Sequence, residues 1–245
     1  PQKETDDIRA VLQQAGYELG VLSACRDYAE FEEMAKAELN LVISPVVLAA
    51  AKKMEKKLGI PWLRHLRSYR LDEIDEMYAE LSKQLNTDLT EAAAEFRKKA
   101  EEKITETLAV IGDYPVAVDY QAVLRPFNLA LALTEYGFKV GLVASNGIPA
   151  FEKESAKKLK EMVPDIVFTD PMHPQSVQYP HEGEEYLCIG FDCGYITKSK
   201  KLVELVEDEG LFGYSGVMEL MNRMQDAFLT KADVNKMIEG AGLII

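Results

Sequence analysis

The chain has 245 residues, 47% of them hydrophobic, with 41 acidic against 28 basic side chains and a formal net charge of −13. That acidity argues against nucleic acid or anionic lipid as a main partner, because phosphate is held by clustered Lys and Arg. The longest apolar runs fall far short of the roughly 20 residues a membrane helix needs. The three cysteines, Cys25, Cys188 and Cys193, are too few for a disulfide framework and point to a reducing cytoplasm.

In chain order, Thr5-Asp6-Asp7 reads as a helix start, followed by Ile8, Val11 and Leu12 at helical spacing and a stop at Gly16. An apolar run (Tyr17 to Leu22), a helical stretch (Asp27 to Ala37) and a second apolar run (Leu39 to Ile43) come next. Ser44-Pro45 supplies an N-cap and a first-turn proline for a helix ending at Gly59, and Ile60 to Leu63 is extended again. A helix precedes any strand and the chain opens at Pro1 without Met, so the sheet's first strand is expected upstream, outside this sequence. From Leu71 to Leu108 the apolar spacing is that of two amphipathic helices broken at Asn86-Thr87-Asp88.

The alternation then restarts, with strands at Val116 to Val118, Phe138 to Ala144, Asp165 to Thr169 and Tyr186 to Ile189. Helices are expected at Pro126 to Tyr136, Phe151 to Met162, Ser215 to Phe228 and Lys231 to Glu239. The fold class is therefore α/β: two Rossmann-like parallel-sheet domains joined by a helical connector. The expected boundaries are 1–68 for a Rossmann-like domain lacking its first strand, 69–110 for the connector, and 111–245 for the second Rossmann-like domain with its C-terminal helices. In such sheets ligands bind beyond the carboxyl ends of the strands, which singles out the loops 23–27, 44–45, 119–125, 145–147, 170–173 and 190–195.

Familiar motifs do not decide among functions. There is no Gly-x-Gly-x-x-Gly after a strand, no Walker loop, no Gly-x-Ser-x-Gly elbow and no His-Glu-x-x-His. His65, His173 and His181 are too few and too scattered for a histidine zinc site. The paired lysines Lys52-Lys53 and Lys56-Lys57, and the run Lys198 to Lys201, read as solvated helix faces.

Several segments together resemble nitrogenase component 1, the family of molybdenum-iron protein chains and their cofactor-assembly relatives. They are Leu39-Asn40-Leu41, Gly59-Ile60-Pro61-Trp62, Leu124-Arg125-Pro126, Tyr136-Gly137-Phe138, Pro164-Asp165-Ile166-Val167 and Gly213-Tyr214-Ser215-Gly216, in the family's order. The family's chains are longer and built from three Rossmann-like domains, so the resemblance implies the C-terminal two, with the abrupt Pro1 as a cut. It implies an oxidoreductase subunit that binds an iron-sulfur or iron-molybdenum-type cluster and receives electrons from an ATP-dependent iron protein. A homologous second subunit, in a hetero- or homo-oligomer, comes with it. The alternative is a non-catalytic cofactor-assembly scaffold, or a degenerate structural subunit of such a complex.

Carried over residue by residue, the resemblance places Ser44 where the family has a cofactor-ligating cysteine. A hydroxyl is a poor substitute for a thiolate on cluster iron, and the same residue reads equally as a helix cap. The family's histidine ligand aligns near Gly190, leaving Cys193 as a candidate metal ligand at the end of the following loop; its bland reading is a small buried thiol. Cys25 is a second candidate, with Arg26 beside it favouring the thiolate. Arg125, at a helix opening, would lie beside an anionic cofactor, or else be an inter-domain arginine. Asn146, with Ser145 and Gly147, forms a polar turn that could line the same pocket or be a turn alone.

Overall fold

Strands and helices alternate, and the sheets they build are all parallel, as the apolar runs separated by amphipathic helices require. In this computed structural model residues 7–176 and 185–232 are described. The expected helix Lys231 to Glu239 and the residue His181 therefore lie outside the described residues.

The first lobe holds helix α1 (Asp7–Gln14), helix α2 (Tyr28–Glu33), strand β1 (Asn40–Val42), helix α3 (Leu48–Leu58) and strand β2 (Trp62–Arg64). β1 and β2 pair in parallel, Asn40 opposite Trp62 and Val42 opposite Arg64, with α3 as the crossover. Ser44 caps the turn after β1: its Oγ accepts the Val46 N–H at 3.4 Å, and Pro45 opens a short 3-10 turn that runs on into α3. Gly59 ends α3 in the left-handed conformation (φ 74°), where a Cβ would be strained. The run Tyr17 to Leu22 is not a strand. It is a loop leading into a 3-10 turn at Leu22–Ala24, and its apolar residues Tyr17 and Leu19 pack against the main core instead.

The helices α4 (Leu71–Leu85) and α5 (Thr90–Ile111) fall where the amphipathic spacing put them. Asn86 breaks them, adopting φ 50°, a left-handed C-cap that asparagine tolerates better than most residues. α4 buries Leu71, Ile74, Met77, Tyr78 and Leu81, one stripe at three- and four-residue spacing.

The larger sheet contains β3 (Val116–Asp119), β4 (Val140–Ala144), β5 (Val167–Thr169), β6 (Leu187–Ile189) and β7 (Lys201–Val203), in the order β5-β4-β3-β6-β7. Between them run α6 (Pro126–Glu135), α7 (Lys153–Met162), α8 (Phe191–Thr197) and, after β7, α9 (Gly213–Leu229). Alternate strand residues face opposite sides. Val116, Val118, Val143, Leu187 and Ile189 join α6, α5 and α9 in the main core; Ala117, Leu142, Ala144 and Cys188 join Cys193 and Leu202 in a smaller one.

Two elements depart from expectation. Residues 190–195 are not a loop but the start of α8, and Lys198 to Lys201 is not a solvated helix face. Lys198 is the left-handed C-cap of α8, and Lys201 opens β7, with its ammonium 4.3 Å from the centroid of the Phe228 ring.

Asp7 ties the chain together. Its buried carboxylate accepts the N–H groups of Tyr214 and Ser215 at the opening of α9 and the hydroxyl of Tyr78. Gly213, immediately before, has φ 61°, and a Cβ there would meet Asp7 Oδ1 at 2.5 Å.

Candidate functional site

The strand order reverses direction between β3 and β6, and the crevice beyond their carboxyl ends is where open α/β sheets bind ligands. Helices α6 and α8 start on either side of it. A free helix start, with its unpaired N–H groups and positive dipole end, would suit an anionic group. Here both starts are filled by the protein's own carboxylates.

At α6, Glu152 is fully buried and accepts from the N–H of Phe127 at 2.7 Å and of Asn128 at 3.3 Å. The Arg125 guanidinium approaches the other oxygen at 3.4 Å and donates to Glu73 at 2.7 Å and to the Arg67 carbonyl at 3.2 Å. Asn128 donates to Glu73 at 2.9 Å and accepts from Ser68, so the polar network joins α4, α6 and the segment before α4. Burial raises Glu152 to about 7, against the pull of Arg125 and the two backbone amides. Burial would raise Glu73 too, but Arg125, Ser68 and Arg70 bring it below its ordinary value.

At α8, the carboxylate of Asp119, the last residue of β3, accepts the Cys193 N–H at 2.9 Å and the Gln121 N–H at 2.9 Å. Burial pushes it up to about 6, with Asp192 adding to the rise. Gly190 makes the approach possible: at φ 105°, a Cβ on it would meet Asp119 Cβ at 2.5 Å and Ala122 Cβ at 2.9 Å.

A third carboxylate closes the crevice. Asp208 accepts from Leu124 N–H at 3.2 Å and from the Tyr69 hydroxyl at 2.9 Å, with Arg67 at 3.5 Å. It sits in a turn where Glu207, Asp208 and Glu209 all have positive φ (47°, 62° and 43°), a conformation non-glycine residues adopt at a cost of roughly 1–2 kcal/mol each. The amides of Glu207 and Asp208 donate to the carbonyls of Gln121 and Ala122, at 2.8 Å each, and hold the turn against the β3 loop.

The residues expected from the sequence are not brought to one point. Arg125 is largely buried and engaged by Glu73 and Glu152. Ser44 caps its own turn on the first lobe. Asn146 is exposed in the turn after β4, where the Ser145 hydroxyl donates to the Gly147 carbonyl at 2.7 Å. Cys193 lies in α8, fully buried, its thiol donating to the Gly190 carbonyl at 3.3 Å, and burial raises its pKa well above the ordinary thiol value. Cys188 is buried on β6, 3.3 Å from the Thr197 hydroxyl. Cys25 is half-buried beyond the Leu22–Ala24 turn, while the neighbouring Arg26 is paired with Glu30. His173 accepts from the Gln175 amide in the loop after β5. Among the described residues no group of three or more His, Cys, Asp or Glu side chains could hold a metal ion.

Sequence reasoning singled out the loops but missed the four carboxylates, Asp7, Asp119, Glu152 and Asp208, that seal these helix and loop ends. The one available signal was an acid at the end of a strand or just ahead of a helix, as at Asp119 and Glu152.

Two of these groups set a pH dependence. A buried carboxyl whose folded pKa is raised binds its proton more tightly folded than unfolded, so its contribution is present at low pH and lost as pH rises through the folded value. For Asp119 and Glu152 that window runs from the ordinary carboxylate range up to about 6 and about 7. Glu152→Gln, which cannot ionise, should show a smaller rise in melting temperature than the wild type between pH 8 and pH 5. Thermal melts at constant ionic strength would check this; equal slopes would mean that Glu152 titrates normally.

The comparisons with known proteins follow the same lines as the geometry. The model of the nitrogenase component 1 type oxidoreductase family matches residues 1–229. Among solved structures, "Nitrogenase Cp1 at pH 6.5" superposes with a TM-score of 0.60 at 15% identity, covering 88% of this chain and 50% of that one. "Nitrogenase Cp1 at pH 5" gives a TM-score of 0.60 at 18% identity, covering 90% of this chain and 53% of that one. At these identities the likeness is one of fold. The chain spans about half the length of the solved chains it matches. None of the curated proteins matches it. Among the described residues no helix is long and apolar enough to cross a membrane.

Proposed function

Because the chain belongs to the nitrogenase component 1 type oxidoreductases, we propose that it is the C-terminal part of a subunit that walls in a metallocluster without ligating it. It would be the structural member of the redox assembly that the family resemblance implies. The observation that carries this reading is the sealing of both helix starts at the crevice by Glu152 and Asp119.

An iron-sulfur or iron-molybdenum-type cluster is anionic and takes thiolate ligands. The candidate residues among the described ones do not fit it. Cys193 is buried with its thiol pushed toward the protonated form, Ser44 offers a hydroxyl already used as a cap, and Arg125 is neutralised within the fold. Cys25 is a lone half-buried thiol, and Asn146 is an exposed turn residue. On this reading a cluster's ligands come from outside the described residues, and Arg125 positions α4 against α6.

The partners that follow are a homologous second subunit and an ATP-dependent iron protein that delivers electrons, in a cytoplasmic setting. The division at 1–68, 69–110 and 111–245 completes the proposal. Its support is that α4 and α5 stand between the two sheets in chain order.

Anaerobic incubation of the chain with ferrous iron and sulfide, followed by desalting, tests the non-ligating role by absorbance and paramagnetic resonance. The expected result is no retained cluster, with wild type, Cys25→Ala and Cys193→Ala alike. A retained cluster signal abolished by either substitution would overturn the proposal.

A further inference from the structure

Asp208 differs from the other buried carboxylates in the backbone that carries it. Asp7, Asp119 and Glu152 have negative φ, whereas Asp208 is the second of four consecutive left-handed residues: Glu207 (47°), Asp208 (62°), Glu209 (43°) and Gly210 (83°). Strain of this kind persists only where the surroundings over-determine it, and it gathers at sites of function. The turn lies in the connection from β7 to α9, beyond the carboxyl end of β7. Asp208 is its inward residue, buried between the exposed Glu207 and Glu209.

The carboxylate rests in a cradle that the turn does not build. Its two oxygens have separate donors: Oδ1 accepts the Tyr69 hydroxyl, while Oδ2 accepts the Leu124 N–H and faces Arg67. The backbone of the cradle is fixed from elsewhere. The Arg67 N–H donates to the Ile43 carbonyl at 3.2 Å, the Arg67 carbonyl accepts from Arg125, and the Tyr69 carbonyl accepts the Tyr136 hydroxyl. None of these bonds involves the strained turn.

The fit is loose at Arg67. Its Nη1 stands 3.5 Å from Asp208 and 3.4 Å from the Glu207 carbonyl, and its buried Nε has no acceptor among the described residues. Nearby arginines are better matched: Arg70 Nε holds Glu135 at 2.8 Å, and Arg125 holds Glu73 at 2.7 Å. Burial also raises the Asp208 carboxyl above its ordinary value, although Leu124, Tyr69 and Arg67 oppose the rise.

We propose that Arg67, Tyr69 and the Leu124 N–H form a binding site for a small carboxylate ligand, which Asp208 fills as an internal stand-in on a displaceable strap. A carboxylate presents two oxygens in one plane, and the cradle offers donors to each. A tetrahedral phosphate carries further oxygens, for which this cradle has no matching donors. A free carboxylate is not tied to a strained backbone, so it can approach the Arg67 guanidinium more closely than Asp208 does. Its binding releases the turn and breaks the bonds from the Glu207 and Asp208 amides to the Gln121 and Ala122 carbonyls. The proposal stands on this chain's own residues and goes beyond the metallocluster reading, which its failure would leave untouched.

Asp208→Gly tests it, because glycine suits the left-handed backbone and the side chain removed is that of acetate. Thermal melts would compare sodium acetate at about 100 mM with sodium chloride at equal ionic strength. Acetate should raise the melting temperature of the variant by roughly 3 °C more than that of the wild type. Adding Arg67→Leu should abolish the gain. A gain that survives Arg67→Leu, or equal responses of variant and wild type, would overturn the site. If Asp208→Gly does not fold in chloride, its refolding yield in the two salts makes the same comparison. A larger gain from inorganic phosphate than from acetate would overturn the carboxylate assignment. Displacement is read in the wild type: the Glu207 and Asp208 amides should exchange at least ~3-fold faster in acetate than in chloride. Unchanged exchange would make Asp208 a permanent structural residue and overturn the strap.

Discussion

Glu152→Ala should lower stability by about 3–5 kcal/mol, the cost usually found when one member of a buried ion pair is removed. For a chain this long that corresponds to a fall in melting temperature of roughly 10 °C. Three losses coincide. The N–H groups of Phe127 and Asn128 lose their acceptor at the start of α6, Arg125 loses one of its two carboxylate partners, and a void opens where the side chain was fully buried. Glu152→Gln separates them: both N–H groups donate to one carboxylate oxygen, and an amide oxygen in its place can still accept both, so the variant should retain more than half of the lost stability. Thermal and urea melts of the two variants would check the ordering. If Ala and Gln cost the same, the backbone caps matter little and the ion pair carries the effect. A fall of less than about 1 kcal/mol in Glu152→Ala would mean that water replaces the carboxylate, and the crevice is not sealed as described.

Gly190→Ala is the second large effect, and it acts through geometry. At φ 105° an L residue is strained, and the added methyl would stand 2.5 Å from Asp119 Cβ and 2.9 Å from Ala122 Cβ. Neither neighbour can swing aside, because Asp119 is held by the amides of Gln121 and Cys193, and Ala122 has no side-chain freedom. The expected loss is about 3 kcal/mol or more, in the range where single substitutions need a specific mechanism. It should come with faster amide exchange at Cys193, as the carboxylate is pushed off the start of α8. Gly59→Ala makes a useful comparison: its φ is also positive, at 74°, but nothing lies within 4 Å of its would-be Cβ. It should cost only the backbone strain, on the order of 1 kcal/mol. Equal costs at the two positions would mean that crowding at Gly190 is relieved by movement the present geometry does not allow.

The sequence was most legible where one segment decides its own conformation. Ser44-Pro45, the break at Asn86 and the apolar stripe of α4 were all readable, because each depends on neighbours a few residues away. α8 and β7 were not. Phe-Asp-Cys-Gly-Tyr-Ile-Thr holds a glycine and two β-branched residues, a poor helix by propensity. It is helical because Asp119, 74 residues earlier, caps it, and because Gly194 leaves room for Leu202 beneath. β7 is three residues long and opens on a lysine, which reads as solvent-facing until its ring contacts with Phe228 and Tyr114 are seen. Arg125 was half legible: the motif fixes its position at a helix opening, but Glu73 on α4 and Glu152 just ahead of α7, which decide what it faces, come from elsewhere in the chain. Side-chain placement was local information; side-chain purpose was not.

The Asp7 carboxylate and the amides that satisfy it are separated by 207 and 208 positions. During synthesis at ~5–20 residues per second, about 10–40 s pass between the emergence of the acid and that of its partners. Throughout that interval α1 can have at most a provisional place, because docking it would bury a carboxylate with two of its hydrogen bonds missing. α1 is therefore among the last of the described helices to settle, and a nascent chain stalled before Gly213 should leave α1 open to proteases while α6 and the centre of the larger sheet are already protected.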